Sequence, residues 1–430
     1  MNKALMDGLV AKFLESYDAP AKDAIWQQHS ATFRRFWSNK VLAKGTGTIP
    51  DDACDVVIRI LDRHGKGNTK ESEAVAGGIM MPQGVWRKLF NSLQTDQNLA
   101  SLLDSSLKET NLDRKTALID ELHKYNEGKK NRLTGGSANV INALLAAYDP
   151  VKNLSAVSLK HRKMQMDFLQ LKLTFDWDQA SFGQRIVQSN ELLREGTRAL
   201  GLDGTARTLS SFWYFRPVTE LWKPEDTVKR TDKEEVTVTV PQNVEVEKDD
   251  KPNEDDLREF LGVQATLAAI GAQMGFQIWL PRADRARVLT RWKPDGEELL
   301  DHLPVGFDQA TMKTIEQIDV LWIKKRSIVR AFEVEHTTSV YSGLLRMADL
   351  LAMQPNLKIK LHIVAPMSRR DKVLREIRRP VFMLLEGGAL ADTCTYLSYE
   401  TVADIRGQEH LKRLSDKVLD DYEEKAQETD

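Results

Sequence analysis

Two runs rich in β-branched and aromatic residues, 318–323 and 328–334, are separated only by Lys324-Lys325-Arg326-Ser327. Such a pattern predicts two strands joined by a polar hairpin turn. Alternate residues of a strand share a face, so Glu333 and Glu335 project together, and Asp319 at the head of the partner strand reaches the same side if the register allows it. Carboxylates crowded at a sheet end raise one another's pKa. A hard divalent cation such as Mg²⁺, bound through carboxylate oxygens and water, gives a physical reason for such crowding. The plainer alternative is a strand entry at Asp319 and a solvated face carrying the two glutamates. Phe332 and Val334 argue against it, because they mark a strand buried on at least one side.

The Asp319…Glu333-Val334-Glu335 pattern resembles the PD-(D/E)XK (restriction endonuclease-like) nuclease superfamily, with Glu335 where most members carry lysine. The resemblance covers about residues 257–400. It implies an α/β (α+β) domain with a mixed central sheet flanked by helices, in α-β-β-β-α-β order. It also implies Mg²⁺ or Mn²⁺ held by Asp319, Glu333 and Glu335, with Glu335 orienting or deprotonating water. Glu259, on the first helix of that order, is a further candidate metal-side acid. His336, directly after the motif, is a candidate proton carrier. Arg346, on the following helix, is a candidate for holding the scissile phosphate or a metal-side carboxylate. The implied activity is hydrolysis of DNA phosphodiesters, in bacterial restriction or anti-phage defence, on double-stranded DNA and by a homodimer.

Composition sets the surroundings. The chain of 430 residues is 41% hydrophobic and 29% charged, long enough for two or three globular domains. It shows no leader-like start and no run long enough to span a membrane, and its two cysteines, Cys54 and Cys394, form no framework; a reducing cytoplasm is the expected home. The net charge of −2 is unevenly spread. Residues 225–256 hold twelve acids against five bases, and residues 401–430 hold nine against five, which leaves the remainder basic.

The expected organisation is a mainly α-helical domain over 1–223, an acidic linker over 224–256, the nuclease-like domain over 257–405 and an acidic tail over 406–430. In the first domain, Trp26, Phe33, Phe36 and Trp37 recur at near-helical spacing and are read as core. Helical pattern is expected to continue through 168–175. Within the linker, the alternation of Val236-Thr237-Val238-Thr239-Val240 signals a strand, of a kind that can add to an edge of either domain. Further on, Arg369, Arg370, Lys372, Arg375, Arg378 and Arg379 stud one predicted helix and are candidate contacts to DNA phosphates. Two other readings stay open: a nuclease-like DNA-binding or regulatory module without cleavage, and a helical interaction adaptor.

Overall fold

The computed structural model describes residues 3–43, 45, 47–69, 71–75, 81–173, 175–223, 226–229, 235–238, 254–335, 341–353, 359–385, 388–408 and 410–426. The chain divides into two compact units, Met1–Pro224 with Thr429–Asp430, and Glu225–Glu428.

Among the described residues the first unit is helical throughout. Its helices are α1 (Lys3–Ser16), α2 (Ala19–Phe36), α3 (Asp51–Leu61), α4 (Gln83–Thr95), α5 (Gln97–Lys108), α6 (Leu112–Tyr125), α7 (Asn139–Tyr148), α8 (Leu159–Phe168), α9 (Phe182–Arg198), α10 (Ala206–Trp213) and α11 (Arg216–Trp222). The aromatic stripe of α2 and the π-turn after it, Trp26, Phe33, Phe36 and Trp37, is buried in the larger of this unit's two cores. The helix expected over 168–175 does not form. α8 ends at Phe168, Gln170 takes a left-handed φ of 55°, and Leu169 and Leu171 turn back against Gly196 of α9. Packing of two leucines on a glycine face outweighs local helix preference here.

The second unit opens with a two-stranded ribbon of β1 (Asp226–Lys229) and β2 (Glu235–Val238). The strand expected at Val236 therefore pairs locally and joins neither domain's larger sheet. Next come α12 (Glu254–Gln273), β3 (Gln277–Trp279), α13 (Arg282–Val288), α14 (Gln309–Ile315), β4 (Val320–Lys324) and β5 (Ser327–Val334). They are followed by α15 (Tyr341–Met353), β6 (Lys360–Ala365), α16 (Arg370–Ile377), α17 (Pro380–Met383), α18 (Leu390–Thr393), β7 (Cys394–Ser398), α19 (Tyr399–Arg406) and β8 (Glu424–Lys425). Strands β3 to β8 form one mixed sheet in sequential order, parallel only at β5–β6 and β6–β7.

Side-chain parity builds a core on each face of this sheet. Val320, Trp322, Phe332 and Val334 pack under α12 and α19, while Leu321, Ile323 and Ala331 pack under α15 and α16. A side chain at Gly271 of α12 would run into Ile278 and the Trp322 indole, so glycine lets the helix close on the sheet.

The segment expected as an acidic tail is part of this fold. Short 3₁₀ turns at Leu411–Arg413 and Asp416–Asp421 lead into β8, which pairs with β7. Its acids have cationic partners elsewhere in this unit. Arg330 of β5, fully buried, reaches Asp416 at 2.9 Å and Asp420 at 2.7 Å. Lys360 meets Asp420, and Arg370 meets Glu424.

Candidate active site

The predicted hairpin forms with a two-residue turn, Lys325-Arg326, in which Lys325 takes a φ of 59°. A bulge between Trp322 and Ile323 then shifts the register. Beyond it Val320 pairs with Phe332 and Leu321 with Ala331, and one further step in that register sets Asp319 opposite Glu333. Strand β5 is buried on both faces at this end. Asp319 is 7% exposed, Glu333 0% and Glu335 6%.

Each acid has a specific partner. Asp319 Oδ2 accepts a hydrogen bond from the Val334 backbone N–H at 2.8 Å, which ties the start of β4 to the end of β5. Glu333 is gripped by Arg346 of α15, whose Nε and Nη2 donate to its two oxygens at 2.7 and 2.6 Å. Glu335 Oε1 accepts from the Gly343 N–H at 2.9 Å, and Tyr399 donates to the Glu335 carbonyl at 2.9 Å. A Cβ at position 343 would collide with Glu335 Oε1 and lie 3.0 Å from Glu333 Cβ. Helix α15 can approach the two glutamates because Gly343 has no side chain.

Burial dominates the electrostatics. It pushes Asp319 up to about 7, against the Val334 N–H and the Arg346 charge. Glu335 is pushed up to about 7 by burial and then by Asp319. Burial and the Asp319 charge hold Glu333 well above the usual carboxylate range, with Arg346 pulling the other way. The guanidinium in turn holds its proton more tightly because of Glu333. Fully ionised, three carboxylates against one guanidinium leave two negative charges in a nearly water-free place. One divalent cation would cancel them, and the donors are hard oxygens of the kind Mg²⁺ takes. As the side chains stand, no group of three His, Cys, Asp or Glu residues among those described is placed to hold a metal ion. Glu333 is engaged by Arg346, and Glu335 is turned to Gly343.

Two neighbours of Asp319 escaped the sequence reading. Gln264 of α12 is fully buried, its amide eases the Asp319 charge, and neither amide atom makes a formed hydrogen bond. Asp284 of α13 adds negative charge to the same place. Gln264 could have been found, since it is a polar residue in the middle of the apolar face formed by Phe260, Leu261, Leu267 and Ala268. Asp284, in a surface-like stretch, carries no such signal. Glu259 is exposed, roughly 140° around the helix from Gln264 at 100° per residue, and does not join the cluster. His336 lies outside the described residues.

The basic residues near α16 divide. Arg370 bonds Glu424 and Asp371, and Arg379 bonds Glu376, so both serve the fold. Arg375 is half exposed, with Glu376 only at 3.9 Å. Arg369, Lys372 and Arg378 are half-buried.

Comparison with known proteins finds similarity in this unit. Residues 239–426 match the family model described as "Type II restriction enzyme NmeDI C-terminal domain". The type II restriction enzyme NmeDI of Neisseria meningitidis serogroup C is 31% identical over 186 residues, covering 39% of this chain and 50% of that protein. The chain thus spans about half the length of the curated relative it matches. No solved structure matches.

Proposed function

We propose that the second unit is a metal-dependent endonuclease that hydrolyses the backbone of double-stranded DNA, in a restriction or anti-phage role. One observation carries this reading: Asp319, Glu333 and Glu335 converge, buried and under-neutralised, in the very segment that is similar to a type II restriction enzyme domain.

Asp319 and Glu335 would hold Mg²⁺ or Mn²⁺, with Gln264 beside them. When bound, such an ion acidifies water and offsets charge on the attacked phosphate. The chain's own residues supply the rest. Arg346 binds Glu333 through Nε and Nη2, which leaves Nη1 to take a phosphate oxygen. Glu335 binds Gly343 through Oε1, which leaves Oε2 to face the ion and orient its water. The cores on both faces of the sheet keep bulk water from the strand ends. One such site cuts one strand, so a double cut calls for two copies.

A second reading, DNA binding without cleavage, draws on the Glu333–Arg346 pair, which occupies one of the expected metal ligands. Incubation of supercoiled plasmid with Mg²⁺, Mn²⁺ or EDTA separates the two. The expected result is nicking or cutting by the native chain that EDTA abolishes and that Asp319→Asn or Glu335→Gln lowers roughly 10³-fold or more. Binding without cleavage in either metal would establish the second reading.

A further inference from the structure

The first unit holds a cavity of about 340 Å³ at the N-terminus of α6, walled by α7, α8 and α9. Its charges do not balance. Lys115, Lys152, Arg162 and Arg194 face Glu109 and Glu191, with Asp149 beside Lys115, a surplus of one positive. Glu191 is already taken by Arg194 at 2.8 and 2.9 Å, and Glu109 by the backbone N–H groups of Thr110 and Asn111. Lys115 makes its one hydrogen bond to the amide oxygen of Asn153 at 3.2 Å, and burial lowers its pKa against the charges of Asp149, Glu191 and Glu109. No partner of the Lys152 ammonium is found among the described residues.

Behind them Arg162, 1% exposed, bonds the carbonyls of Leu154, Ala156 and Ile186 and the Ser189 hydroxyl, with no carboxylate. The floor adds an unmet acceptor. Asn142, 1% exposed, donates to the Val157 carbonyl at 2.7 Å, while its Oδ1 has no partner. Buried polar atoms and cations left this way are costly unless a ligand completes them.

We propose that this cavity binds a nucleotide, with its phosphate on Lys115 and Lys152 and a sugar hydroxyl or base N–H donating to Asn142 Oδ1. A phosphate monoester carries about two negative charges at neutral pH, which two ammonium groups without a hydrogen-bonded carboxylate are suited to meet. Inorganic phosphate alone would leave most of the volume and the Asn142 acceptor unused, whereas the cavity falls in the usual range for small-molecule sites. The nucleotide is either free or one swung out of a DNA duplex.

The test uses the full chain in EDTA, so that cleavage plays no part. The chain is titrated calorimetrically with inorganic phosphate and the four deoxynucleoside monophosphates, and fluorimetrically with a duplex containing 2-aminopurine. The expected result is saturable binding of a monophosphate (a free ligand) or a fluorescence rise with the duplex (an extruded one). Either should weaken at least about tenfold in both Lys115→Met and Lys152→Met, the worth of one charge-assisted hydrogen bond. Lys115→Met should fold and melt close to the native chain, because the ammonium it removes hydrogen-bonds the Asn153 amide and no carboxylate directly. The proposal fails if no probe saturates, if only inorganic phosphate binds, or if both variants bind within about twofold of the native chain.

Discussion

Arg330 and Glu333 stand three positions apart on β5, both fully buried, and they are neutralised to different degrees. Around Arg330, three cations (with Lys360 and Lys425) meet three anions, Asp416, Asp420 and Glu423, while His362 is held neutral by burial. Around Glu333, three anions meet Arg346 alone. A closed ionic cluster is a structural device, since all of its charge is accounted for within the chain. An open one leaves charge that something else must balance. The contrast separates the end of the strand that fastens the fold from the end that is available for chemistry.

Removing a member of the closed cluster should have the larger effect on stability. Arg330→Met leaves Asp416 without its guanidinium and Asp420 with Lys360 alone, and should cost about 3 kcal/mol in denaturant unfolding, at the low end for a broken buried pair because the acids left behind reach water. A cost below about 1 kcal/mol would mean that the docked tail contributes little to the fold.

The two ends should also titrate in opposite directions. Asp319 and Glu335 have folded pKa values of about 7, above their ordinary values. The folded state therefore binds more protons than the unfolded state between about pH 4 and 7. Metal-free stability from these groups is fully present below that window and is lost as pH rises through it, by about 1.4 kcal/mol per pKa unit for each group. Asp420, whose pKa is lowered by Lys360 and Arg330 against its burial, behaves the other way and loses its contribution as pH falls through its folded pKa. Thermal melts in EDTA from pH 4.5 to 8.5, a range of about four units, should show Asp319→Asn gaining stability relative to the native chain as pH rises; the difference isolates the cluster from His29, His161 and His362, whose lowered pKa values make stability rise with pH. Mg²⁺ or Mn²⁺ should stabilise the chain more at the alkaline end, because ligands must lose protons to bind. A difference between the two chains that does not change between about pH 5 and 7 would contradict the open cluster.

The hairpin was legible because local chemistry decides it: β-branched runs flank a polar turn. Its functional register was not. Counting back from the turn pairs Glu333 with Ile318, and only the bulge at Trp322/Ile323 moves it opposite Asp319. Arg346 was legible as a basic residue on the next helix, but its bidentate grip on Glu333 depends on Gly343 letting α15 come close. The tail misled for the opposite reason. Asp416, Asp420 and Glu424 look solvated in sequence because their partners Arg330, Lys360 and Arg370 lie 54 to 90 residues away. Composition registers charge, not the distant group that cancels it.

The smallest effects sharpen the same contrast between paired and unpaired charge, now on α16. Arg375, half exposed and loosely placed near Glu376, is available to a phosphate, whereas Arg370 is committed to Glu424, which is 3% exposed. Arg375→Ala should weaken DNA binding a few-fold and lower the slope of log affinity against log salt by about 0.9, with stability unchanged within about 0.5 kcal/mol. Arg370→Ala should leave the salt slope alone and destabilise the chain by about 2 kcal/mol, because it strands a buried carboxylate. Binding across a salt series in EDTA, alongside denaturant melts, measures both. If Arg370→Ala instead lowered the slope and spared stability, the Glu424 pair would open to DNA, and a closed cluster could no longer be taken as purely structural.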